Sequence, residues 1–125
     1  MANDILLYIG AMLPIFWGIG HLFPTEKVVE SFGDISNDNK RILKMEWINE
    51  GFTLIFIGAL VILVTLISGS QTQSSQLIYW LSAVMLISMA LLSLMTGAKT
   101  SQLPFKLCPF IFTSAAVLLL LGSLL

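Results

Sequence analysis

Residues 51–67 read GFTLIFIGALVILVTLI and contain no charged side chain. The hydrocarbon core of a bilayer is about 30 Å thick, and a helix of about 17–25 apolar residues crosses it. Inside lipid every backbone N–H and C=O must be paired, which a helix achieves within its own segment. Three further apolar runs of similar length occur in the chain. Together with their flanking residues, the four runs predict helices at about residues 5–23, 38–67, 77–96 and 105–125.

The composition of the 125-residue chain agrees with this pattern. Hydrophobic residues make up 57% and charged residues 10%, and the mean hydropathy is +0.93. Soluble domains carry about 25% charged residues, so a soluble enzyme of ordinary composition is excluded. The formal net charge of −1 offers no basic surface, and we therefore predict no nucleic-acid partner. The predicted fold is all-α: one domain, residues 1–125, forming an antiparallel four-helix bundle in a membrane.

The basic residues predict the orientation of this bundle. All of them lie between the first and second apolar runs or between the third and fourth: Lys27, Lys40, Arg41, Lys44, Lys99 and Lys106. In an up-and-down bundle these two connections share one face, which the positive-inside rule assigns to the cytoplasm. Both termini are then outside, and a bacterial inner membrane is the expected location. The first apolar run has no preceding Lys or Arg and no cleavage site, which predicts that helix one is retained.

A polar segment separates helices one and two. Within residues 25–33, Val28, Val29 and Phe32 lie on one side of a short helix that Thr25 can cap and Gly33 can end. This spacing predicts a short amphipathic helix that lies flat in the membrane interface or folds back over the bundle. After it, Ser36 or Asn37 can cap helix two, which then begins before the bilayer and continues into it.

Small residues recur at helical spacing in the predicted helices, where they let helix backbones approach closely in lipid. They are Gly10 and Gly18 in helix one, Gly51 and Gly58 in helix two, and Ala83, Ala90 and Gly97 in helix three. Met85 and Met89 lie one turn apart and are interpreted as core residues, because methionine fills irregular gaps.

Ionisable residues gather near one end of helices one and two. His21 ends helix one, and Glu46 and Glu50 lie four residues apart on one face of helix two. Trp17 precedes His21 by one turn, and Trp47 accompanies the two carboxylates. We expect Glu50 and His21 to face one another inside the bundle, with Glu46 nearer to water. Asn49 is the fallback partner of Glu50.

Three interpretations of this cluster remain open from the sequence. In the first, His21 and Glu50 pin helix one to helix two, and Trp17 and Trp47 belong to the interfacial aromatic belt. In the second, the cluster is a proton-accepting or ligand-binding site. In the third, His21 and the two glutamates hold a metal ion, although a stable site needs more ligands. The single cysteine, Cys108, cannot form an internal disulfide and is too few for a cysteine-based metal site, so we predict no metal and no cofactor.

Sequence signatures of catalysis are missing from the chain. It has no glycine-rich phosphate loop, no His-x-x-x-His, no Cys-x-x-Cys and no nucleophile elbow. We therefore predict a small accessory or binding protein, not an autonomous enzyme. It would recognise a hydrophobic small molecule, a membrane lipid or a partner subunit, as a homo-oligomer or within a larger membrane complex. The alternative is a proton-coupled transporter of small solutes that acts as an oligomer, with Glu50 carrying the proton.

Two segments resemble a known group of proteins. FWGIGHLFPTEKVVESFG, residues 16–33, followed by MEWINEGFTLIFIGALVILVT, residues 45–65, is similar to the DoxX-like families of small four-helix bacterial membrane proteins. The resemblance implies that Glu50 is the acidic residue that opens their second helix. It also implies an accessory role, such as a non-catalytic subunit of a membrane redox complex. Small multidrug exporters have a similar length but place a glutamate in the middle of helix one, where residues 5–23 have no acidic residue.

Overall fold

The chain is almost entirely helical in the computed structural model, which describes residues 2–125. Within these residues there are five α-helices, a single 3-10 turn and no β-strand. The helices are α1 (Asp4–Leu22), α2 (Thr25–Glu30), α3 (Asn37–Ser68), α4 (Gln73–Met95) and α5 (Leu103–Leu124), and the 3-10 turn is Gly97–Lys99. α1, α3, α4 and α5 are each long and apolar enough to cross a membrane. The all-α prediction with four long apolar helices is therefore confirmed.

Polar side chains define where three of these helices begin. Asn3, Ser36 and Thr72 each accept a hydrogen bond from the backbone N–H three residues ahead, which satisfies a donor that the first helical turn leaves free. Ser36 is thus the cap of α3, and α3 continues without interruption from the polar segment into the apolar run. It ends at Gly69, whose φ of +74° is a left-handed value that favours glycine.

The short helix α2 differs from its prediction in two ways. It ends at Glu30, before the predicted limit at residue 33, because Ser31 and Phe32 close it with turn hydrogen bonds and Gly33 reverses the chain at φ +81°. Thr25 does not cap it. The hydroxyl of Thr25 instead donates to the carbonyls of His21 and Leu22, which lie at the end of α1 and have no helical partner.

Glycines bring α1 and α3 into close backbone contact. A Cβ atom added to Gly18 would lie 2.6 Å from the carbonyl oxygen of Gly51, and one added to Gly58 would overlap the carbonyl oxygen of Ala11. α1 also packs on α5, where a Cβ on Gly122 would lie 2.8 Å from Leu7. These contacts agree with the packing role predicted for the small residues. Gly97 is an exception, because α4 ends at Met95 and Gly97 lies in the 3-10 turn.

The remaining contacts leave α3 and α4 only partly joined. α4 packs along α5, whereas α3 and α4 share a much smaller contact. At one end they are tied by a buried hydrogen bond of 2.7 Å between the hydroxyls of Thr65 and Tyr79. Toward the other end they are separated by a groove, described below.

The segments that carry the basic residues lie side by side. The amide of Gln102, before α5, donates to the hydroxyl of Ser31, after α2, and the rings of Phe32 and Phe105 meet edge to face. These segments and the adjoining helix ends hold all six Lys and Arg residues, so we call this the charged end of the molecule. Lys44 of α3 also forms an ion pair of 2.6 Å with Glu26 of α2.

Large apolar side chains cover the outer surface. Phe16, Phe56 and Phe110 are each more than 60% exposed, and many leucines and isoleucines on all four long helices are exposed with them. Soluble monomers rarely expose contiguous apolar patches beyond a few hundred Å². A surface of this kind, together with four helices of spanning length, is compatible with an integral membrane protein.

Candidate functional site

His21 lies at the inner end of the site, in the last turn of α1, with only 3% of its surface exposed. Its Nδ1 atom is 2.8 Å from the carbonyl oxygen of Trp17. A carbonyl only accepts hydrogen bonds, so Nδ1 carries a proton, and Nε2 holds the lone pair whenever the ring is neutral. Among the described residues, Nε2 is the one buried side-chain polar atom without a hydrogen-bond partner.

Glu50 of α3 is the nearest acidic group to this lone pair. Its Oε2 atom lies 3.5 Å from Nε2 of His21, and its side chain is 34% exposed. The close contact of Gly18 with Gly51 sets this distance, because it brings the neighbouring turns of α1 and α3 together. The two side chains face one another, as the sequence led us to expect.

Cys108 of α5 completes the cluster, and sequence reasoning missed it. The Sγ atom of this buried residue accepts a hydrogen bond of 3.3 Å from the indole N–H of Trp17 and donates one of 3.4 Å to the carbonyl of Pro104. One ligand atom each from His21, Glu50 and Cys108 lie within 4.8 Å of one another. No local sequence signal marks Cys108, because its part in the cluster depends on how α5 packs against α1.

The two tryptophans hold the cluster in place. The Trp47 ring stacks on the His21 ring at 4.2 Å between centroids, and its indole N–H donates to the carbonyl of His21. The indole N–H of Trp17 is used by Cys108. Both indole N–H groups therefore have partners inside the protein, which ties the two rings to the cluster.

Glu46 and Asn49 do not join the cluster. Both are exposed on α3, with Glu46 nearer to water as expected. They line the rim of a groove of about 540 Å³ between α3 and α4, in which Glu50 and Cys108 form part of the wall. His21 lies behind that wall and lines a smaller cleft of about 250 Å³ with Trp17 and Pro104.

Apolar side chains form most of the groove. Its lining includes Val28 and Phe32 from the α2 region, and Met85, Met89 and Leu92 from α4. The prediction that Met85 is a core residue was wrong, because its side chain is 45% exposed along the groove, whereas Met89 packs against the core. Helix periodicity places both residues on one side of α4. It does not reveal that α3 and α4 are separated by the groove beside Met85.

The chemistry of the cluster is that of a polar recognition point in an apolar wall. Imidazole, carboxyl and thiol groups can exchange hydrogen bonds with a polar ligand, and they are also the three donor types that bind zinc-like metals. Comparisons with known proteins found no matching family, no matching curated protein and no matching solved structure. The function is therefore argued from the geometry.

Proposed function

We propose that this chain is an integral membrane protein whose four long helices form an antiparallel bundle, with the charged end in the cytoplasm and both termini outside. The support is the length and apolar surface of the helices, and the location of every Lys and Arg at one end. A bacterial inner membrane fits this charge distribution.

Cysteine labelling in intact cells tests this arrangement. Asn37 is an exposed residue at the start of α3, and Gln71 is an exposed residue in the connection after α3; each is replaced by cysteine in a Cys108→Ser background. A membrane-impermeant maleimide should label the cysteine at position 71 and spare the one at position 37 until the cells are opened. The reverse result refutes the orientation, and labelling of both refutes the membrane crossing.

Within this arrangement, the chain binds a hydrophobic small molecule or lipid that carries one polar group. The observation that carries this proposal is the Glu50 carboxyl group, backed by His21, in the wall of a mostly apolar groove of about 540 Å³. Small-molecule sites occupy about 300–1,000 Å³ and combine apolar walls with a few placed polar groups. The polar group of the ligand would meet Glu50, and its apolar part would lie along Met85 and Leu92.

The groove favours ligands that arrive through the bilayer. It lies between two long helices, and the side chains that flank it on α4, such as Leu92, are exposed on the apolar outer surface. A hydrophobic compound concentrates in lipid before it meets the protein. Lateral access from the membrane therefore fits the position of the opening.

The binding role is proposed as an accessory one. Its support is the resemblance of residues 16–33 and 45–65 to DoxX-like proteins, which implies a subunit that assists a partner, such as a membrane redox complex. Glu50 is the position that the resemblance singles out, and it is also the groove-wall residue that lies against His21.

Ligand capture in mild detergent tests the binding proposal. Native mass spectrometry of the purified protein should show about one bound hydrophobic compound per chain, identified after solvent extraction. Met85→Trp fills the groove and should abolish the adduct, whereas Ile87→Trp adds the same ring on another face of α4 and should retain it.

Two outcomes contradict the proposal. Wild-type protein without any adduct after supplementation with membrane extract refutes binding, and retention of the adduct by Met85→Trp refutes the groove as the site. Uptake into proteoliposomes that is driven by a pH gradient and lost in Glu50→Gln would favour the transporter over the binding protein.

A further inference from the structure

We propose that His21, Glu50 and Cys108 form a binding site for one zinc-like divalent transition-metal ion. The three side chains come from α1, α3 and α5, and their ligand atoms lie within 4.8 Å of one another. The proposal does not depend on which molecule occupies the groove, because the metal alone is the ligand.

The buried imidazole points to a ligand that is not part of the chain. Nε2 of His21 is buried, lies 3.5 Å from Oε2 of Glu50, and has no hydrogen-bond partner among the described residues. Burying an unpaired polar atom is unfavourable, and buried groups of this kind are normally satisfied by a partner. In the neutral ring, a metal ion can accept the lone pair of Nε2. Glu50 can form a hydrogen bond with Nε2 only when Nε2 or the carboxylate carries a proton.

The distances are close to those of a tetrahedral metal site. Bond lengths of about 2.1 Å to nitrogen and oxygen and about 2.3 Å to sulfur separate tetrahedral ligand atoms by about 3.4–3.6 Å. Nε2 of His21 and Oε2 of Glu50 are already 3.5 Å apart. Bringing the Cys108 sulfur from at most 4.8 Å to that separation takes a shift of at most about 1.2 Å.

The surrounding contacts orient two of the ligands, and both come from one residue. The carbonyl of Trp17 accepts the Nδ1 proton of His21, which fixes Nε2 as the metal-facing nitrogen. The indole N–H of Trp17 points at the Cys108 sulfur, where it stabilises a thiolate. Outer contacts of this kind are typical of bound metals.

Charge balance favours a divalent ion. The Cys108 thiol, which donates to the Pro104 carbonyl, loses its proton to water when the sulfur binds the metal. One thiolate, one carboxylate and a neutral imidazole then neutralise a charge of +2, which suits a site surrounded by apolar side chains. Thiolate and imidazole favour zinc-like metals over Mg²⁺ or Ca²⁺, which prefer oxygen ligands. Three protein ligands leave a fourth position open, on the side where Glu50 and Cys108 line the groove.

Cobalt titration of the full-length protein in detergent tests the site, since Co²⁺ replaces zinc and absorbs light. We expect one Co²⁺ per chain, a sulfur-to-cobalt charge-transfer band in the near ultraviolet, and displacement by Zn²⁺. Cys108→Ser should remove the band, and His21→Gln and Glu50→Gln should each weaken binding by at least about tenfold. Glu30→Gln, which removes an exposed carboxylate outside the site, should leave the titration unchanged.

Circular dichroism and gel filtration establish that each variant is folded. If His21→Gln does not fold, Cys108→Ser decides the question, because it exchanges one sulfur for oxygen with little change in volume. Folded wild-type protein without the charge-transfer band overturns the proposal. An unchanged Co²⁺ affinity in folded Cys108→Ser overturns it as well.

Discussion

Replacing Gly18 with alanine should open the contact between α1 and α3 on which the site depends. The new methyl group would lie 2.6 Å from the Gly51 carbonyl oxygen, 2.9 Å from Ile55 and 3.0 Å from Leu54. Ordinary contact begins at 3.4 Å, so the helices must separate by about 0.8 Å at this point. The nearest atom belongs to the backbone and cannot turn aside. Forcing an extra carbon into a packed contact costs about 1–3 kcal/mol, and we expect a loss of this size.

Gly20→Ala is the matched control for this substitution. It adds the same methyl group two residues away on α1, where nothing lies within 4 Å of the added carbon. Alanine is a better helix former than glycine by about 0.8–1.0 kcal/mol in water, so this variant should be neutral or more stable.

Unfolding in mixed detergent, followed by circular dichroism, measures both variants. The separation of the helices also moves Glu50 away from His21, so Gly18→Ala should weaken Co²⁺ binding while Gly20→Ala does not. Equal stability of the two variants would show that the backbone contact of Gly18 is not tight. The packing of α1 on α3 described above would then be wrong.

Three further perturbations test other contacts. Tyr79→Phe removes the buried hydrogen bond to Thr65 and should destabilise the protein by about 1 kcal/mol in unfolding experiments, with a double-mutant cycle showing that the loss belongs to this pair. Trp17→Phe should weaken Co²⁺ binding about tenfold without changing the stoichiometry, whereas Trp80→Phe on the outer surface should have no effect on the titration. Lys44→Gln breaks an exposed ion pair and should cost less than about 1 kcal/mol at low salt and nothing at high salt; a larger, salt-independent loss would contradict an exposed pair.

The sequence predicted the elements of this fold because lipid-spanning helices are determined locally. An uncharged run such as residues 51–67 has one way to satisfy its backbone in lipid, and the caps that begin α3 are read from a few neighbouring residues. The pairing of His21 with Glu50 was also expected, because the two helices are connected at that end.

Contacts between distant segments were not predictable in the same way. Cys108 is an isolated residue in an apolar run, and nothing local distinguishes it from a packed cysteine. Its role depends on which side of α5 faces α1, which the weakly amphipathic helix does not encode clearly. Trp17 and Trp47 have the positions of belt residues, and only the packed structure shows that their N–H groups have internal partners. Thr25 similarly has the sequence position of a helix cap, and only the structure shows that its hydroxyl donates to the end of α1.

The length of α3 has a mechanical consequence. Its 32 residues extend about 48 Å, whereas the hydrocarbon core is about 30 Å thick, so in the proposed membrane arrangement several turns project beyond the lipid at the charged end. These turns are continuous with the part that carries Glu50, beside the close contact of Gly51 with Gly18. A partner that pushed the projecting turns sideways would therefore load the contact between α3 and α1 next to His21 and Glu50, since one continuous helix joins the two places.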